Sequence, residues 1–444
     1  MSASHAATGR VAEGGVTAAP GGALSRGLRI GLLFGPTVFG VTAAGVALPQ
    51  VSAALEAGSA AVAWVLIAHA LALGVGTALF GRFADSWGVR TSLLAGSAVL
   101  AVGAIACVAA PNLGVLVAGR LLLATGSGAM AAGGLALLAM TAPELRARCL
   151  AVYGAVMAVF AAAAPLLGGL VTAWPSWRAT VALPVLSLLA VPFCLPLVTR
   201  PGSGQRIDYA GAAALAGAAG ALLVAIQSGT LGLPGPVAIG LAAVALLLGA
   251  WVLRRKDGFV PRPVVADRRF VLAMVIGVGI FGGLFATMYA VPQLLAREYG
   301  WSVLEVGAAL LPGAVVGAVG SRMAGSLTAR WGRTVLAGVA AAAGLTLGYA
   351  GLAGGGPWPV VVGAALGLAA FAVAQVVLTA EMSGRIPPPQ RGAGMGLLNL
   401  TFFVGGGAGS AICGALAGPL GLTAALAVVA VFPLVAAVVA VASR

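Results

Sequence analysis

The chain divides into fourteen apolar stretches of roughly twenty residues, and this pattern leaves little freedom of fold. A helix rising about 1.5 Å per residue needs that length to cross a hydrocarbon layer roughly 30 Å thick. Inside lipid each backbone N–H and C=O must find its partner within the segment, so long apolar stretches become helices rather than open strands. The expected spans are 30–49, 61–80, 92–110, 113–140, 150–173, 180–198 and 209–227, then 237–253, 270–292, 303–322, 334–352, 360–379, 392–417 and 422–441. Only 8% of residues are charged, against the quarter or so that a water-facing surface needs, so the expected class is an all-α integral membrane protein.

The net charge of +14 acquires its meaning from its location. With the N-terminus placed in the cytoplasm, all of the 24 Lys and Arg residues except Arg120, Arg178 and Arg297 fall in cytoplasmic loops, tails or span borders. That asymmetry orients a membrane protein and requires no nucleic acid. An even number of spans then puts both termini in the cytoplasm. The tryptophans agree with these borders: Trp64, Trp174, Trp177, Trp301 and Trp358 fall on the outer side, and Trp87, Trp251 and Trp331 on the inner. Cys107, Cys149, Cys194 and Cys413 show no paired spacing, so no disulfide framework, metal site or cofactor is expected. Residues 1–27, rich in Ala, Gly and Ser, are expected to form a disordered cytoplasmic tail ahead of an uncleaved first span.

An internal repeat is visible. Gly81-Arg-Phe-Ala-Asp-Ser-Trp-Gly88, between spans 2 and 3, is echoed by Gly325-Ser-Leu-Thr-Ala-Arg-Trp-Gly332 between spans 10 and 11. The eight-span offset implies a duplicated six-helix unit with two spans inserted between the copies. The expected units are an N-terminal six-helix bundle over 28–199, two extra helices and their linkers over 200–267, and a C-terminal six-helix bundle over 268–444.

The segment from Gly81 through Asp85 and Gly88 to Arg90 resembles the cytoplasmic loop signature of the major facilitator superfamily. Other matches follow in order: Val46-Ala-Leu-Pro49, Ala63-Trp64, Arg120 ahead of Gly126 and Gly128, and Ala164-Pro165-Leu-Leu-Gly168-Gly169, which is similar to that superfamily's antiporter signature with alanine in place of its first glycine. Trp177-Arg178, Ile207-Asp208-Tyr-Ala-Gly211 and Arg268-Arg-Phe270 resemble its fourteen-span drug:proton antiporter branch. The resemblance implies two bundles around a cavity that opens alternately to either side. It also implies proton-coupled export of a lipophilic small molecule such as an antibiotic, drug or secreted metabolite, by a monomer in a bacterial inner membrane. An uptake or uncoupled carrier is the alternative. A membrane-embedded enzyme or sensor would need a catalytic cluster or a soluble domain, and direct ATP drive a phosphate-binding loop; the sequence offers none of these.

Members of that branch commonly carry an aspartate in span 1 where this chain has Gly40, and none of the ten acids falls in the middle of an expected span. His69 and Arg120 are the ionisable groups deep in the first half, about 12 and 10 Å from the outer border by helical rise. An arginine there costs roughly 2.5 to 3.5 kcal/mol on insertion scales and so should face the bundle interior. Histidine titrates near neutral pH. His69, Arg120 and Glu381 are therefore the candidates for proton coupling. Gly81, Asp85, Gly88 and Arg90 are the candidates for a conformational latch in which Asp85 receives hydrogen bonds from helix amides or Arg90. Met157, Phe160, Tyr289, Gln375 and Asn399 are candidates to line a mostly apolar cavity. Each has an ordinary alternative: carbonyl bonding for Arg120, packing for His69 and the aromatic residues, and a border charge for Glu381.

Overall fold

The computed structural model describes residues 20–198, 201–204, 206–255, 258–260, 262–326, 329–386 and 391–443. Among them are fourteen helices long and apolar enough to cross a membrane. Spans 1 to 7 are Gly22–Ala54, Ala60–Trp87, Val89–Val108, Leu113–Ala139, Glu144–Ala173, Trp177–Leu197 and Tyr209–Ile226. Spans 8 to 14 are Gly235–Arg254, Arg268–Glu298, Val303–Gly320, Trp331–Ala353, Pro357–Arg385, Gly394–Ala417 and Gly421–Ala442. The described residues contain no strand. Every expected stretch has its helix, and fourteen crossings place the start of span 1 and the end of span 14 on one face. That face is called proximal and the other distal.

Two boundaries differ from the sequence expectation. The first helix begins at Pro20, inside the stretch expected to be tail, and Arg26 there donates to the Leu197 carbonyl of span 6 at 3.4 Å. Residues 1–19 lie outside the described residues. Span 2 continues to Trp87, so Gly81 and Asp85 stand on a helix rather than in a loop. Phe83 stacks on Trp87 at 4.8 Å and meets Tyr209 at 6.2 Å, giving the extra turns apolar partners beyond the hydrocarbon. The turn comes at Gly88, whose φ of +93° is a conformation that side chains disfavour. Gly81 has open space where a Cβ would stand, so no close helix approach requires a glycine there.

Spans 1 and 6 are interrupted. Span 1 passes from an α-helix, Pro20–Phe34, through a 3₁₀ turn, Gly35–Gly40, into a second α-helix, Thr42–Ala54. Pro36 has no N–H to donate, and the tighter 3₁₀ winding follows. Span 6 changes to 3₁₀ winding at Leu183–Ala190, just where Pro184 enters. The two 3₁₀ segments pack against each other. Carbonyls released by such breaks need other partners inside a membrane.

Glycine lets the helices meet backbone to backbone. A Cβ on Gly76 would stand 2.6 Å from the Thr125 carbonyl, joining spans 2 and 4, and one on Gly279 2.6 Å from the Phe432 carbonyl, joining spans 9 and 14. Spans 1–6 pack into one group and spans 9–14 into another, joined mainly along spans 2 and 13, 5 and 10, and 1 and 9. Spans 7 and 8 pair with each other, and span 7 rests on spans 2 and 13. Gln227, fully buried at the end of span 7, donates to the Ala411 carbonyl of span 13 at 3.0 Å. Span 8 presents Ile239, Leu246 and Leu247 outward, as a helix facing lipid does.

Candidate functional site

The polar centre of the first bundle forms around Gly40, at the break in span 1. Arg120 reaches it from span 4 and is fully buried. Its guanidinium donates to three backbone carbonyls: Nε to Val65 of span 2 at 3.2 Å, Nη1 to Val181 of span 6 at 2.9 Å, and Nη2 to Gly40 of span 1. Gly40 closes one interruption and Val181 precedes the other. Arg120 thus answers the carbonyls released by both breaks and ties spans 1, 2 and 6 to span 4 with one rigid fork of donors.

His69 approaches the same glycine from span 2. It too is fully buried, and neither ring nitrogen has a hydrogen-bond partner among the described residues. A Cβ built on Gly40 would overlap Nε2 and Cε1 of the imidazole. The glycine therefore leaves room for the histidine, and a side chain at position 40 and an imidazole at position 69 exclude each other. The similar depths read from the sequence correspond to a convergence, with Gly40 as the meeting point.

The antiporter-like segment lies on the seam between the bundles. A Cβ on Gly168 would stand 2.7 Å from Ala43 Cα of span 1, and one on Gly169 2.6 Å from the Val303 carbonyl of span 10. A Cβ on Gly307 of span 10 would overlap the Pro165 carbonyl. On the same distal side a Cβ on Gly45 would lie 2.7 Å from the Met288 carbonyl, and Arg297 donates to Ser52 Oγ at 3.1 Å, joining spans 9 and 1. The distal ends of the two bundles are drawn together.

Near the proximal face, Asp85 and Arg90 are exposed and form no ion pair among the described residues. The Asp85 backbone carbonyl accepts from both N–H and Oγ of Ser203, each at 2.8 Å. Arg82, unremarked in the sequence, makes the longer-range bond. It donates to the Phe259 carbonyl at 3.1 Å, while the Phe259 N–H donates to Asp208 Oδ2 at 3.0 Å. The linker after span 8 is thereby held to the end of span 2. Asp267 accepts from Arg385 Nε at 2.5 Å across to span 12, and that hydrogen bond holds its carboxyl below the usual carboxylate range. Part of the second motif copy, residues 327–328, lies outside the described residues.

Glu381 is paired. Arg333, almost fully buried, donates to both of its carboxylate oxygens at 2.9 and 2.7 Å and also to the Ser443 carbonyl at 2.8 Å, clamping the proximal ends of spans 11, 12 and 14. No local pattern marks Arg333 as its partner, because the two lie 48 positions apart.

The cavity candidates do not share one wall. Phe160 packs on Phe39 at 5.4 Å and fills the space beside Gly35 in the span 1 break, with half-buried Met157 one turn away on span 5. Tyr289 is fully buried and its carbonyl accepts from Gln293. Asn399 donates back to Met395 of its own helix at 3.2 Å, and Gln375 holds a buried Oε1 with no partner among the described residues. Sequence reasoning missed the ring cluster of the second bundle, where Phe281 of span 9 meets Phe371, Phe402 and Phe403 at 4.8 to 5.4 Å.

The profile of the Major Facilitator Superfamily matches residues 30–410. A puromycin resistance protein of Streptomyces alboniger is 32% identical over 325 residues, covering 69% of this chain and 63% of that protein. A multidrug resistance protein of Mycobacterium tuberculosis is 26% identical over 300 residues, covering 65% of this chain and 56% of that protein. The tetracenomycin C resistance and export protein of Streptomyces glaucescens is 27% identical over 398 residues, covering 84% and 72%. The chain thus matches under two thirds of the length of the first two relatives. The crystal structure of the human organic anion transporter MFSD10 superposes with a TM-score of 0.61 at 17% identity over 95% of this chain and 100% of that one, a likeness of fold.

Proposed function

The chain belongs to the major facilitator superfamily, and from that premise we propose that it is a proton-coupled exporter of lipophilic small molecules. It works by alternating access, as a monomer in a bacterial inner membrane. The observation that carries the reading is the seam at Pro165, Gly168 and Gly169. These residues form the distal contact of span 5 with spans 1 and 10, where two rocking bundles must part and rejoin. The relatives named for resistance and export support the direction of transport. The bundles at 28–199 and 268–444 are the moving bodies, with 200–267 as an insert fastened to both.

The proximal face is cytoplasmic on this reading, because the Lys and Arg residues gather there. A cysteine introduced at Gly232, in the turn between spans 7 and 8, should react with an impermeant maleimide added to intact cells. Reaction only after the cells are opened would reverse the orientation or remove the inserted pair.

Substrates are neutral, zwitterionic or anionic rather than dicationic. Among the described residues every carboxylate lies at a span end or between spans, whereas a desolvated dication requires compensating negative charge within the membrane. In counterflow with reconstituted protein, uncharged drugs should exchange at least about tenfold faster than dicationic dyes of similar size, the loss expected for a charge left uncompensated. Equal rates would overturn this assignment. An uptake or uncoupled carrier is the second reading, favoured by the glycine at position 40.

A further inference from the structure

We propose that the His69 imidazole, seated against Gly40, is the group that carries the coupling proton. This rests on the exporter reading and deepens it. Three placements support it. His69 is fully buried with both ring nitrogens unpartnered, a condition that buried polar groups seldom keep without a role. Its seat exists only because position 40 has no side chain. The other candidates are engaged: Glu381 in two bonds from Arg333, and Arg120 in three carbonyl bonds.

The step is a simple transfer. The lone-pair nitrogen of the neutral ring accepts one proton from one face, giving an imidazolium, and the same proton leaves to the other face as the bundles rock. Arg120 on span 4 is the charged group facing the ring and lies within electrostatic reach of it. Cys107 on span 3 is the other titratable group within reach of Arg120. Spans 7 and 13, packed on span 2, bring Leu223 and Gly407 towards neighbouring Ala70 and carry no charged residue. Protonation of His69 therefore sets a second positive charge against the guanidinium that holds the breaks of spans 1 and 6 together. The proton is converted into strain on the junction of four helices, which is how one charge moves a bundle. An anionic group on the substrate would relieve the same repulsion and link the two occupancies.

The test uses the full chain in proteoliposomes, with ¹⁵N-labelled histidine and His5→Gln, so that His69 alone remains of the two histidines. The ring should pass from neutral to doubly protonated as the pH falls from about 8 to about 5, the range over which a coupling histidine must work. In parallel, His69→Phe should lower pH-driven transport of tetracenomycin C, relative to its own counterflow, by about tenfold or more. A ring that stays in one state across that range, or undiminished coupling in His69→Phe, overturns the assignment and leaves the exporter reading intact. A titrating ring in a wild-type protein that a pH gradient cannot drive would instead remove the exporter reading, and the inference with it. Should His69→Phe fail to fold, the spectra of the His5→Gln protein decide alone.

Discussion

Replacing Arg120 by leucine is expected to leave little folded protein. The guanidinium serves the carbonyls of Gly40, Val65 and Val181, drawn from three different spans. Val65 lies within a regular helix, whereas Gly40 and Val181 adjoin the interruptions of spans 1 and 6. Leucine leaves at least these two acceptors buried without partners, at about 1 to 3 kcal/mol each, and the total is a large part of the margin of an ordinary fold. Arg120→Lys keeps the charge but loses the planar fork, so one ammonium must choose among carbonyls that three nitrogens now share. Its thermal midpoint in detergent should fall between those of leucine and wild type. A leucine variant that elutes as a single species and melts with the wild type would show that the three carbonyls have other means of support.

Arg120 shows how far the sequence reaches. Its depth, and that of His69, followed from counting residues, because helical rise is fixed and apolar borders are sharp. That both converge on one glycine could not be counted. It depends on the rotation of spans 1, 2 and 4 about their axes, and these helices are apolar on every side, so no stripe of polarity reports which face turns inward. The broken windings carry a local signal, since Pro36 and Pro184 stand inside the expected spans 30–49 and 180–198. Their mutual packing carries none. The helical setting of Gly81 and Asp85 was hidden for a related reason: hydrophobic length marked the end of span 2 at Phe80, whereas Phe83, Trp87 and Tyr209 sustain the helix to Trp87 through aromatic contacts. Partners distant in sequence, such as Arg333 with Glu381 and Arg82 with Phe259, left no local signal.

Residues that hold the helices together are bonded differently from those proposed to drive transport. Arg120, Gln227 and Arg333 each fasten elements from separate spans through bonds that are already complete. His69 is buried and incomplete, and the Gly168 and Gly169 seam is close-packed yet without polar bonds of its own among the described contacts. A joint that must open repeatedly is better made of dispersion contacts than of buried ion pairs, whose separation costs several kcal/mol on the order of a whole fold's margin.

The most direct test of proton-coupled export is the response of concentrative transport to an imposed pH gradient. Proteoliposomes containing the wild-type protein, with equal concentrations on both sides of an uncharged drug that it exchanges in counterflow, are given an acidic distal compartment. The account predicts net movement of the compound towards that compartment against its own rising gradient, with about one decade of accumulation for each pH unit at one proton per uncharged molecule. The accumulation should collapse when a protonophore is added. Movement that only dissipates a substrate gradient, at the same rate with and without the pH difference, would contradict the account and make this protein an uncoupled carrier.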